Sequence, residues 1–197
     1  MRLILASNNR HKTEELAKLA QHLGFDIVNY QDVLGECLDF PAESRDSQDQ
    51  NALTKARFIH QYLPEEAVIA DDSGLYLAAF PDRFGVTTSR DLKAAGAKGQ
   101  PAENEYLLSI LKGKERAAYL LTSLAYLGPD GQEGLFHGRG GVRISENIRG
   151  GDFLGGMDDI VEAENGKTLS EMSPDEVVAY HQRSRALSEL KDFLSKD

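Results

Sequence analysis

The chain is poor in cysteine, in basic residues and in long apolar runs, and each shortage excludes something. A single cysteine, Cys37, among 197 residues leaves no intrachain disulfide and no cysteine-rich zinc site. It fits a reducing, cytoplasmic setting. Lys and Arg number 22 against 32 Asp and Glu, a net charge of −10. That balance argues against a nucleic-acid polymer or an anionic membrane surface as partner. It leaves a small polyanion open, because a few lysines around a metal can hold one locally. No apolar run approaches the ~18 residues of a membrane span, and the opening MRLILASNNRHK lacks the pattern of a signal peptide. The five histidines have no HExxH-type metal spacing, and repeats and low-complexity tracts are absent.

What is present alternates strand and helix patterns. Residues 2–6 read as a buried strand, 12–22 as a helix stopped by Gly24, and 25–30 as a second strand. Residues 35–48 are irregular. A helical period returns over 49–63, with Ala52, Ala56, Ile59 and Leu63 on one side and Pro64 at its end. Residues 67–70 form a short apolar strand running into Asp71-Asp72-Ser73-Gly74, where the Ser-Gly pair suggests a tight turn. Residues 80–100 read as loop, 101–112 as a helix, and 116–127 and 134–144 as strands joined by a Gly-Pro-Asp-Gly turn. Loop follows over 147–168, then one helix over 174–194 with Leu187, Leu190 and Leu194 buried. The order predicts an α/β fold with a mixed sheet and flanking helices, as a single domain over 1–197.

Three places carry chemistry. The turn Ser7-Asn8-Asn9, leading through Lys12 into a helix, offers backbone N–H groups, the positive end of a helix dipole and an ammonium, a sensible phosphate site. It lacks the glycines of a Walker loop, and helix capping by Ser7 or Asn9 is the other reading. Asp71 and Asp72 end an apolar strand, either as a solvated turn or as a carboxylate pair compensated by a cation or a proton. Neighbours on a strand point to opposite sides, so one carboxylate can face Mg²⁺ while the other faces a water. Asn51 and Lys55 share a helical face, either toward a ligand or toward solvent, and Glu43 precedes that helix.

Taken in order, these segments resemble the inosine triphosphate pyrophosphatase family, which clears non-standard purine nucleotides such as dITP and XTP. LILASNNRHK is similar to the family's strand followed by Thr/Ser-x-Asn-x-x-Lys. Glu43 with Asn51-Ala52-Leu53-Thr54-Lys55-Ala56 is similar to its Glu…Asn-Ala-x-x-Lys-Ala. Ala70 to Leu75 repeats its Ala-Asp-Asp-Ser-Gly-Leu unbroken, and Gly85 to Arg90 and Gly166 to Met172 resemble two further motifs. The resemblance implies an ITPase-like (anticodon-like α/β-α) fold of two lobes around a cleft, a homodimer, Mg²⁺, and hydrolysis of a nucleoside triphosphate to monophosphate and pyrophosphate. By the same carry-over Asp72 is the general base and Asp71 and Glu43 are metal ligands. Ser7, Asn8, Asn9, Lys12, Asn51, Lys55, Ser73 and Arg90 hold phosphate and substrate, and Gly156, Met157, Asp158, His181, Gln182 and Arg183 face the base.

The departures gather in the base half. The family's Gly-Phe-Gly-Tyr/Trp-Asp-Pro-Ile-Phe corresponds to Leu154-Gly155-Gly156-Met157-Asp158-Asp159-Ile160-Val161, without its flat rings, although Phe153 lies nearby. Ser-His-Arg becomes His181-Gln182-Arg183, and the Lys before it becomes Val177. A site that hydrogen-bonds a base discriminates through those groups, so the changes imply an altered or relaxed base preference, the alternatives being a catalytically reduced nucleotide-binding or sensor protein and a pyrophosphatase for another modified nucleotide.

Overall fold

The structure is a computed structural model and describes residues 1–196. Strand β1 (Arg2–Leu5) leads to helix α1 (Arg10–Gln21), strand β2 (Asp26–Asn29) and a short helix α2 (Tyr30–Leu34). Helix α3 (Gln48–His60) precedes strand β3 (Val68–Leu77). Helices α4 (Thr88–Ala94) and α5 (Gln100–Ile110) follow, then strands β4 (Ala118–Leu127) and β5 (Glu133–Gly140), a short pair β6 (Arg143–Ile144) and β7 (Val161–Glu162), and helices α6 (Pro174–Val177) and α7 (Gln182–Leu194). The main sheet has the order β2-β1-β3-β4-β5, with β1 parallel to both β2 and β3.

The chain divides into two compact units. Among the described residues the first comprises 1–72, 122–138 and 183–196, and the second 73–121 and 139–182. In the first, the period-2 alternation of β1 and β3 sorts side chains between two cores. Leu3, Leu5, Ala67 and Ile69 pack with Leu16 and Ala20 of α1 and with Ala186, Leu187 and Leu190 of α7. Ile4, Ala6, Val68 and Ala70 pack on the other face with Tyr30 of α2 and Ala52, Ala56 and Ile59 of α3. Each fully buried Leu or Ile contributes roughly 1.5–3 kcal/mol. Asn9 caps α1 by accepting from the Lys12 N–H at 3.2 Å, and Ser47 caps α3 by accepting from the Gln50 N–H at 3.1 Å.

The second unit holds α4, α5 and the antiparallel β6–β7 pair. Tyr76 and Tyr119 stack with ring centroids 4.9 Å apart, and the Arg139 guanidinium lies 3.8 Å from the Tyr119 ring centroid. The segment Gly166 to Met172 has a structural task. Thr168 and Glu171 form a capping box, with the Thr168 N–H donating to Glu171 at 2.8 Å and the Thr168 hydroxyl donating to the Arg149 carbonyl at 2.6 Å.

Four sequence expectations change. Asp71-Asp72-Ser73-Gly74 is not a turn but the middle of β3. Gly74 serves close approach instead: a Cβ there would lie 2.1 Å from the Gly85 carbonyl oxygen. Residues 85–94, read as loop from their glycine and threonine content, are helical, as a 3₁₀ turn running into α4. Tyr30, read as the end of the second strand, instead opens α2, which Asn29 caps. The last helix is two, because the chain turns after Val177, whose carbonyl accepts from both the Tyr180 and His181 N–H groups. His181 is thereby buried, and Leu194 is only partly so.

Candidate active site

Strand parity builds the site. Ile69 and Asp71 of β3 face α1 and α7, and Val68, Ala70 and Asp72 face α3, so the adjacent carboxylates of Asp71 and Asp72 meet different cations. The Asp71 side chain is fully buried and accepts from Lys12 Nζ at 3.1 Å and Arg183 Nε at 3.1 Å. Arg183 also donates to Glu15 at 3.2 Å. Asp72 Oδ1 accepts from Lys55 Nζ at 3.0 Å, and its Oδ2 accepts from Asn51 Nδ2 at 3.3 Å. Lys55 reaches Glu43 Oε1 at 3.4 Å and donates to the Asp71 main-chain carbonyl at 2.9 Å. Asn51 also fastens the loop before α3, accepting from the Ser44 N–H at 2.7 Å and donating to the Ser44 carbonyl at 3.1 Å.

Burial and charge act against each other here. Burial alone would raise the Asp71 carboxyl, but Lys12 first, then Arg183 and Lys55, hold it well below the usual carboxylate range. At Lys12 burial prevails and pushes the ammonium below its ordinary value, with Asp71 opposing. At Lys55 burial is outweighed by Asp72, then Asp71 and Glu43, and the ammonium is held above its ordinary value.

The structure thus brings Lys12, Glu43, Asn51, Lys55, Asp71, Asp72 and Arg183 together in the first unit. Glu43 shares a cation with Asp72, not with the Asp71 carboxylate, which turns to the opposite face of the strand. Arg183, expected at the base, ion-pairs with Asp71 and Glu15. Asn8, expected as a phosphate donor, spends its side chain within the protein: Nδ2 donates to the Leu38 carbonyl at 2.9 Å, and Oδ1 accepts from Tyr30 and Gln31. Asn9 is the helix cap, and Ser7 Oγ accepts from the Asn9 N–H at 3.2 Å. The first turn of α1 still presents the N–H groups of Arg10 and His11, which have no acceptor within the helix.

Ser73, Arg90, Gly156, Met157, Asp158, His181 and Gln182 belong to the second unit. Asp158 and His181 are both buried and meet at 3.1 Å, and Gln182 beside them is buried too. Gly156 takes a φ of 69°, and its carbonyl accepts from Asn104 Nδ2 at 2.7 Å. Arg90 lies in α4, half-buried. A cavity of about 820 Å³ in this unit is lined by Phe153, Lys167, Ser170 and Met172 among others, and by none of the residues expected at the base.

Sequence reasoning missed Glu15, Gln48, Asn104 and the pair Asn29 and Tyr30. Glu15 carried a signal, since it stands three residues after Lys12 on one helical face. Gln48, which donates to the Asp72 carbonyl at 3.2 Å, carried none. Among the described residues, no three His, Cys, Asp or Glu side chains gather as a metal cluster. No helix among them is long and apolar enough to cross a membrane.

The Ham1 family profile matches residues 3–193. The chain belongs to the Ham1 family. As a Ham1 protein it is a hydrolase, a nucleoside triphosphate pyrophosphatase. It is 34% identical to a dihydroneopterin triphosphate diphosphatase of Limosilactobacillus reuteri over 98% of this chain and 97% of that one. It is 32% identical to a dITP/XTP pyrophosphatase of Malacoplasma penetrans, over 98% of each chain. The Staphylococcus aureus Ham1 protein shares its fold with a TM-score of 0.76 at 24% identity, over 100% of this chain and 99% of that one.

Proposed function

We propose that this Ham1 protein uses Mg²⁺ to cut a triphosphate between its α- and β-phosphates, and that its ring preference is shifted away from dITP and XTP. Dihydroneopterin triphosphate, which carries the same polyphosphate tail and names one relative, is the leading substrate. One observation carries this reading. The cations and carboxylates suited to a triphosphate converge around Asp71 and Asp72, while residues 154–161 lack the aromatic rings on which a purine would stack.

The Glu43 carboxylate would hold Mg²⁺, a hard cation that needs only one or two carboxylates and completes its shell with water and phosphate oxygens. Glu43 already shares the Lys55 ammonium with Asp72, which is left as the proton acceptor. When bound, the ion offsets tail charge and polarises phosphoryl oxygens. Lys12, Lys55 and the first-turn N–H groups of α1 hold the phosphates in line for attack. The Asp72 carboxylate takes the proton of the attacking water as its oxygen bonds to the α-phosphorus. The bond to the α–β bridging oxygen breaks, and pyrophosphate leaves. Asp71 keeps Lys12 and Arg183 positioned. Met157, Asp158, His181 and Gln182 set ring selectivity, His181 and Gln182 offering donors and acceptors different from a Ser-His pair. The enzyme works as a cytoplasmic homodimer, a state that light scattering checks.

Pyrophosphate release with Mg²⁺ from dihydroneopterin triphosphate, ITP, dITP, XTP and the four common nucleoside triphosphates tests the proposal. The expected kcat/KM for dihydroneopterin triphosphate is at least about tenfold above that for dITP or XTP, within the range set by losing or gaining a paired polar contact. A clear preference for dITP and XTP would overturn the shifted ring preference.

A further inference from the structure

The side chains of Ser7, Asn8 and Asn9 in the loop between β1 and α1 are tied within the protein, and two residues where β2 meets α2 do most of the tying. Asn29 and Tyr30 are almost completely buried. Asn29 Nδ2 donates to the Ser7 carbonyl at 2.9 Å and to the Thr13 hydroxyl at 2.8 Å, while its Oδ1 accepts from the Gln31 N–H at 2.9 Å. The Tyr30 hydroxyl donates to Asn8 Oδ1 and accepts from the Leu38 N–H at 2.9 Å. Asn8 Nδ2 returns to the Leu38 carbonyl at 2.9 Å, closing a ring of bonds. The Tyr30 ring is fixed in turn by an edge contact to Phe40, with centroids 5.7 Å apart.

These bonds hold backbone, not ligand. They fix the Ser7 carbonyl and the Asn8 side chain on one side of the loop, and the Asn9 cap fixes the other. The peptide planes that precede the first turn of α1 are therefore set before any anion arrives. Donors already in place forfeit less ordering entropy on binding, and this raises affinity without adding a contact.

We propose that Asn29 and Tyr30 are positioning residues that hold the β1–α1 loop in its anion-binding shape, with the Tyr30–Asn8 bond as the main latch. The proposal rests on the reading that this loop and Lys12 take the substrate's phosphates. Because the buried hydroxyl touches only the loop and its neighbours, its loss acts on binding of the polyphosphate tail and spares the chemical step.

The test compares wild type, Tyr30→Phe, Asn8→Ala, the double variant and Lys12→Met. Tyr30→Phe keeps the ring and its packing, and Asn8 is exposed enough for Asn8→Ala to fold. The readings are kcat, KM, melting temperature and Ki of inorganic tripolyphosphate, a tail without a ring. In Tyr30→Phe and Asn8→Ala, KM and Ki should rise together by about 3–10-fold, the effect of one net hydrogen bond, with kcat within about twofold. The double variant should be no worse than the poorer single, since both break one latch. Unchanged KM and Ki with a lower melting temperature would reduce the pair to a structural role and overturn the proposal, as would multiplicative effects in the double variant. Lys12→Met separates the underlying reading. An unchanged tripolyphosphate Ki there removes the phosphate assignment and the proposal with it, whereas a raised Ki beside an unaffected Tyr30→Phe removes the latch alone.

Discussion

Replacing each of the two adjacent aspartates by asparagine should produce opposite phenotypes. The Asp71 carboxylate is fully buried between Lys12 and Arg183, whose side chains are 20% and 11% exposed. Asp71→Asn keeps the shape and some hydrogen bonding but leaves two cations short of their counter-charge. Breaking a buried pair costs about 3–5 kcal/mol, and asparagine together with the small exposure of the cations brings this to roughly 2–3 kcal/mol. For a chain of this length that is about 5–10 °C in melting temperature. Asp72 is paired with Lys55, and both side chains are 12% exposed. Asp72→Asn loses the proton acceptor, so kcat should fall by about 10²–10⁴-fold, with a melting temperature shift less than half that of Asp71→Asn. Calorimetry and pyrophosphate release on the same preparations check both. The parity argument is refuted if Asp71→Asn melts like wild type, or if Asp72→Asn retains kcat.

Two further predictions follow from the geometry. Gly74→Ala forces a methyl group to 2.1 Å from the Gly85 carbonyl oxygen and 2.6 Å from its carbon. Neither backbone can give way cheaply, so a loss of about 3 kcal/mol or more is expected in urea unfolding. Asp49 accepts from the Ser123 hydroxyl at 2.6 Å and meets His137 Nε2 at 2.8 Å. Burial would raise its carboxyl, but the Ser123 bond and then His137 hold it below the ordinary range. Its contribution is therefore present above the unfolded carboxylate value of about 3.9 and is lost as pH falls through that value toward the lower folded one. Because Asp49 is nearly half exposed, the effect is under about 1 kcal/mol. Stability against pH should be flatter below about pH 4 in Asp49→Asn than in wild type, and parallel curves would refute the assignment.

The parts of this molecule that follow from local rules were legible in the sequence. The strand of residues 2–5, the capped helix after it and the alanine face of α3 depend on periodicity and on single capping residues. Lys12, Asn51 and Lys55 could be placed near the aspartates by the family resemblance, since helix spacing alone leaves Asn51 and Lys55 facing either a ligand or solvent. The course of β3 through Asp71-Asp72-Ser73-Gly74 could not, since Ser-Gly reads as a turn until Gly85 is known to press against it. Likewise the helix over 88–94 hides behind its composition, and the turn after Val177 buries a His181 whose partner, Asp158, is distant in sequence. Arg183 and Glu15 meet across most of the chain length, and Tyr30 reaches Asn8 through the fold. No spacing rule reports such contacts.

The alternation along β3 also limits how this protein can evolve. One residue gained or lost just upstream of Ala70 would exchange the outlooks of both anions at once. The acceptor for the water proton would sink among Lys12 and Arg183, and its neighbour would emerge beside Lys55. Such a frame change alters no residue at the centre, yet it should silence the enzyme as surely as deleting Asp72. Length variation is therefore expected in the hairpin between β4 and β5, and not in the strand that bears the two acids.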